Sequence, residues 1–197
     1  MVVPWGQQEL YIRLAEWVWN PSRLDLDGEK PPVEEPISDP DEETVDKVER
    51  PARHEARQAF WTGLLAHANE QSDLHGRVSA SRYHWLGTRR HGQWWNYSVL
   101  QAETRVELYI DGPVAADNKA IFDSLHAERV TVEAAFGNQL AWQRLDDKRA
   151  CRISFSVPGG WVDELTWPAA IELAVDAMQR LYDALGPRVE ATRGAST

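Results

Sequence analysis

Hydrophobic and polar positions alternate along this chain with two distinct periods. Over residues 7–19, Leu10, Tyr11, Leu14, Trp17 and Val18 recur at helical spacing. Asn20-Pro21 closes that run, because proline disfavours helical geometry in the residue before it. Residues 21–50 lose the pattern. Five prolines (Pro21, Pro31, Pro32, Pro36, Pro40) stand among Asp and Glu, a composition that buries too little apolar surface to offset its ordering entropy. The helical period returns over 52–70, with Ala56, Phe60, Leu64 and Ala68 in one stripe and Trp61 and Leu65 beside it.

A period of two follows. Residues 82–86 suggest a short strand, and 93–101 and 104–111 suggest two better ones joined by a tight turn near Ala102-Glu103. In the second, Val106, Leu108 and Ile110 alternate with Arg105, Glu107, Tyr109 and Asp111, so one face is apolar and the other polar. A helix is predicted over 117–136 through Ile121, Phe122, Leu125, Val132 and Phe136, with Gly137 as its C-cap. Strands at 140–145 and 150–157 flank Asp146-Asp147. A last helix over 166–185 has Thr166 as N-cap, and Gly186-Pro187 is expected to end it. The order α-β-β-β-α-β-β-α, with one polar face on every clearly alternating strand, predicts a two-layer α+β sandwich. Its sheet would be mainly antiparallel, about five strands, with helices on one face. The domain reading is an N-terminal amphipathic helix (1–20), an acidic linker (21–50), the α+β domain (51–190) and a frayed tail (191–197).

Charge sharpens this division. The net charge is −10, and residues 1–50 hold 13 acids against 5 bases. From 74 to 102 there is no acid, while Arg77, Arg82, Arg89 and Arg90 alternate with Tyr83, Trp85, Trp94, Trp95 and Tyr97. Ten tryptophans in 197 residues are unusual. No apolar run is long enough to span a membrane, and the start of the chain lacks a secretory pattern, so a cytoplasmic protein without a membrane partner is expected. Cys151 is the single cysteine, which excludes an internal disulfide, and its inward parity reads as a small core residue. No phosphate-cradling glycine loop and no His-x-x-x-His pair occurs, so no cofactor or metal is expected. The oligomeric state is not encoded in any of these patterns.

Several segments resemble one family: Arg57–Trp61, Trp85–Thr88, Arg105–Asp111, Asn118-Lys119 with Phe122-Asp123, Ala135–Gly137, Leu145–Ala150 with Arg152-Ile153, Trp167-Pro168 and Arg180-Leu181. Together they span about residues 53–188 in the right order, and they resemble the bacterial and archaeal domain of unknown function 4268. The glycine-rich stretch expected after Thr88 is replaced here by Arg89-Arg-His-Gly92, then Trp94-Trp95. The resemblance implies frequent linkage to an upstream nuclease-like domain of the PD-(D/E)XK type, and so a setting in nucleic-acid processing or defence.

Three chemical readings follow. By parity the polar sheet face gathers Trp94, Tyr109 and Trp142 beside Arg105, Arg144 and Arg152, with Trp85, Arg89 and Arg90 nearby. Aromatic rings stack bases and arginines neutralise phosphate, so such a face suits single-stranded nucleic acid; it equally suits a solvated surface of cross-strand charge pairs. The Asp146-Asp147-Lys148 turn suits a cation, a phosphate, a partner protein or plain turn chemistry. A hydrolytic reading needs clustered carboxylates and a lysine, for which Glu107, Asp111 and Lys119 are the candidates. The leading expectation is a non-enzymatic accessory module that binds nucleic acid or a partner protein. Alternatives are a metal-dependent or degenerate nuclease, and an interaction module acting through the acidic arm 21–50.

Overall fold

The computed structural model describes residues 49–194; the helix expected at 7–19 and residues 21–48 of the acidic linker lie outside the described residues, as does the end of the tail, while Glu49 and Arg50 begin a helix. The elements are α1 (Glu49–Gln71), β1 (Trp85–Arg90), β2 (Gln93–Val99), β3 (Glu103–Ile110), α2 (Ala115–Ala127), α3 (Arg129–Phe136), β4 (Ala141–Gln143), β5 (Cys151–Pro158) and α4 (Trp167–Gly194). The five strands form one antiparallel sheet in the order β1-β2-β3-β5-β4. The architecture is thus the expected α+β one.

A single core fills the space between sheet and helices. Trp95, Tyr97, Val106, Leu108, Ile110 and Ile153 supply it from the strands. Phe60, Trp61 and Leu64 of α1, Phe122 and Leu125 of α2, Val132 and Phe136 of α3, and Met178 and Leu181 of α4 meet them. Burying such side chains contributes roughly 1.5–3 kcal/mol each, which is what orders the domain.

Several boundaries depart from the periodicity, four of them for a clear local reason. The first strand lies at 85–90 rather than 82–86, because His91 and Gly92 both take positive φ (51° and 80°) and form a two-residue hairpin turn that pairs Arg90 with Gln93. The helix expected at 117–136 breaks at Glu128, whose backbone leaves helical geometry (φ −97°, ψ 12°). The Glu128 carboxylate accepts from Arg188 Nε of α4 at 2.9 Å, and the redirected α3 buries Val132 and Phe136. Gly137 caps α3 in the left-handed region (φ 84°), as its position suggested. Thr166 does not cap the last helix; its hydroxyl donates to the Asp163 carbonyl at 2.7 Å, within a short 3₁₀ turn capped by Asp163. That helix also runs through Pro187 to Gly194. Proline forfeits one helical hydrogen bond there, but Leu185 and Val189 are fully buried on either side, and their packing outweighs the loss.

His75 closes the loop between α1 and β1 from inside. Its Nε2 lies 3.0 Å from the Trp95 carbonyl, which only accepts, so Nε2 carries the proton. The ring packs against Tyr97 with centroids 4.9 Å apart. Burial lowers its pKa from 6.5 to about 4, against the raising effect of the Trp95 hydrogen bond and with a further lowering by Arg90. Between these values the unfolded chain binds a proton that the folded one refuses. Stability is therefore complete above pH 6.5 and falls as pH drops toward 4, by up to about 3 kcal/mol from this residue. Urea denaturation across that pH range should show the decline, and His75→Gln should flatten it.

Candidate functional site

The antiparallel register sorts the strand side chains into two sets. One set enters the core beneath the helices. The other lies on the outer face, turned away from them. Directly paired residues share a face, so one row crosses all five strands: Arg89 (β1), Trp94 (β2), Tyr109 (β3), Arg152 (β5) and Gln143 (β4). Beneath it runs Gly87, Asn96, Glu107, Ser154 and Ala141. A third row holds Trp85, Ser98, Arg105 and Ser156.

The middle of this face is polar and buried. Asn96, Ser98, Glu107, Arg152 and Ser154 are all buried. The Glu107 carboxylate accepts from Asn96 Nδ2 at 3.2 Å on one oxygen. Its other oxygen lies 2.9 Å from Arg152 Nε and 3.8 Å from Arg105 Nε. The closer contact lacks hydrogen-bond alignment, so it acts as an ion pair by proximity alone. The Glu107 carboxylate thus stands between two guanidinium groups. Gly87 makes room for this cluster: a Cβ there would stand 1.9 Å from Asn96 Oδ1.

The rim is more accessible. Trp85 is 46% exposed and Arg89 is exposed, Trp94 and Tyr109 are half-buried, and Arg105 is mostly covered. The Arg89 guanidinium sits 5.8 Å from the centre of the Trp94 ring, and that of Arg152 sits 5.7 Å from Tyr109. Burial, and then the charge of Asp111, push the Tyr109 phenol above its ordinary pKa, so its hydroxyl remains a neutral donor.

Other predicted residues belong elsewhere. Trp142 pairs with Ile153, which puts it on the helix side against Phe122 and His126. Its indole N–H donates to Glu133 at 3.0 Å. Arg144 falls just beyond β4 and binds Asp123 of α2 (2.8 and 3.0 Å) together with Asp146. The parity assignment failed because β4 ends at Gln143 and Leu145 takes a positive φ of 53°, so alternation does not continue through them. Arg90 also lies on the helix side by register and donates to the Asp73 carbonyl at 3.2 Å. Asp146, Asp147 and Lys148 form the turn that follows, closed by the Lys148 N–H on the Leu145 carbonyl at 2.8 Å.

Glu107, Asp111 and Lys119 do not share a site. Lys119 projects from α2 on the helix side, where its ammonium donates to the carbonyls of Arg144 (2.5 Å), Leu145 (2.8 Å) and Ala150 (2.9 Å). Asp111 accepts two bonds from Arg149 at 2.7 and 2.9 Å. Both hold the 144–150 loop in place. Cys151 is fully buried beside Lys119, and burial raises its pKa, so the thiol stays protonated. Among the described residues there is no cluster of three or more His, Cys, Asp or Glu placed to hold a metal ion.

The model of a domain of unknown function (DUF4268) matches residues 56–189, more than half of the chain. The chain belongs to this family. No curated protein and no solved structure matches it. The DUF4268 match contains all five strands and therefore the whole outer face. Reading by sequence alone missed Gly87 and Gln143 as members of that face. The signal for Gly87 was the alternation through Trp85, Gly87 and Arg89. Among the described residues no helix is long and apolar enough to cross a membrane.

The ion pair at the centre of the face is the testable structural element. Arg152→Ala strands a buried carboxylate and should lower stability by about 3 kcal/mol in urea denaturation. Adding Glu107→Gln removes the stranded charge, so the double variant should recover part of that loss.

Proposed function

We propose that the outer face of the DUF4268 sheet is a platform for single-stranded nucleic acid, and that the domain is a non-enzymatic accessory module. The observation that carries the reading is the row Arg89–Trp94–Tyr109–Arg152, in which two arginines flank two aromatic rings on consecutive strands. At about 4.8 Å per strand it spans roughly 14 Å. Flat rings accept any base by stacking, and the exposed Arg89 guanidinium neutralises phosphate, while the buried Arg152, paired with Glu107, packs against the Tyr109 ring; the platform therefore holds a strand with little sequence preference. Trp85 adds an exposed ring on the same face. The acidity of the whole chain does not oppose this, since it is concentrated in residues 1–50 and no acid occurs from 74 to 102. In this reading the module would present a strand to a nuclease-type partner in a processing or defence setting, as the family's usual neighbourhood implies.

Fluorescence anisotropy with labelled oligo(dT) and oligo(rU) across a salt series tests the proposal. Binding should strengthen as salt falls. Trp94→Ala should weaken it about tenfold, within the 1–3 kcal/mol that a stacked base contributes. Arg89→Ala should reduce the slope of log affinity against log salt by about one. Absence of binding at low salt, or affinity unchanged in Trp94→Ala, would overturn the reading.

A further inference from the structure

Beside the edge strand β1 lies a groove of about 940 Å³. Its walls are α1, through Pro51, His54, Glu55 and Gln58, and the segment entering β1, through Ala80, Ser81, Arg82 and Tyr83. Tyr83 is 67% exposed. Its backbone is fixed: the buried Trp61 indole donates to the Tyr83 carbonyl at 2.8 Å, and the Val99 N–H donates to the His84 carbonyl at 2.7 Å. The segment is thus anchored to α1 on one side and to β2 on the other, while the phenol ring itself stands out of the surface. A single residue, His84, separates this ring from Trp85 on the outer face.

We infer that the groove takes a further nucleotide of the strand held on the outer face, with the chain turning over the edge of β1 to reach it. This rests on the platform reading. Tyr83 provides a stacking surface for the base, and the Gln58 amide offers both a donor and an acceptor to a base edge. Arg82, exposed on the same wall, supplies the cation for the phosphate between Trp85 and Tyr83. Glu55 on the α1 wall repels a phosphate there, so the backbone is kept on the Arg82 side and the base enters the groove. An exposed tyrosine on a pinned backbone loses little conformational freedom on stacking, which suits it to this role.

The inference separates from the platform by oligonucleotide length. Affinities are measured for oligo(dT) of about four and about twelve nucleotides, lengths at the two ends of common single-strand site sizes. The short oligomer occupies the outer face alone. In the wild-type domain the long one should bind more tightly than its extra lattice positions explain. Tyr83→Ala with Arg82→Ala should remove about tenfold from the long oligomer and leave the short one unchanged. Both side chains are exposed and the Trp61 bond is to the Tyr83 carbonyl, so the fold should be retained, as checked by thermal unfolding. Equal affinities of variant and wild type for both lengths would overturn the groove while leaving the platform standing. Loss of both oligomers in Trp94→Ala but only of the long one in the Tyr83 variant supports both. If the wild type binds neither length, both readings fall together.

Discussion

Glu107 lies opposite Asn96 on β2 and Ser154 on β5, and that register sets the composition of both faces of the sheet. A slip of one residue in β3 would drive Glu107, Arg105 and Tyr109 into the core and expel Val106, Leu108 and Ile110. The apolar set holds the register by burial. The polar set reinforces it, because a buried carboxylate is tolerable only where its partners stand at fixed places. Gly87 belongs to the same constraint, since the Asn96 carboxamide occupies the space where any other side chain would begin. The ion pair is thus less a source of net stability than a penalty on misregistered pairing.

The helix side solves a different problem. The 144–150 loop is short, charged and partly exposed, and it must return the chain from the edge strand β4 into the adjacent strand β5. Lys119 grips three of its carbonyls, Arg144 ties it to Asp123, and Arg149 ties it to Asp111. The Arg144 guanidinium holds the Asp123 carboxyl below its ordinary pKa. These charged residues resembled a site when read along the chain. In space they form a brace, with the Lys119 and Arg144 contacts on the helix side and the Arg149–Asp111 pair close enough to Tyr109 to act on its phenol.

The layout was legible in the sequence wherever burial alone decides the conformation. The alternation in 104–111 and 150–157 and the stripes of the helices are direct records of one buried face. The outer face was legible for Trp94, Arg105, Tyr109 and Arg152 for the same reason. What the pattern did not contain was backbone geometry that departs from its period. The positive φ values of His91 and Leu145 changed the bounds of β1 and the side assigned to Arg144. Glu128 split a helix whose apolar spacing looked continuous, and tertiary packing carried another helix through Pro187. Trp142 was misplaced because β4 has only three residues and its parity was counted from a residue outside it. The family resemblance, by contrast, held over 56–189.

The central claim is that stacking surfaces on one side of this sheet meet a nucleic-acid strand while those in the core do not. The tryptophans allow that to be read directly. Trp85 and Trp94 lie on the outer face, whereas Trp61 and Trp95 are fully buried on the other side. A two-dimensional proton–nitrogen spectrum resolves each indole N–H. Titration with oligo(dT) at low salt should shift the Trp85 and Trp94 indole signals in a saturable way and leave those of Trp61 and Trp95 in place. Shifts confined to the buried indoles, or none at Trp85 and Trp94 at saturating oligonucleotide, would contradict the account.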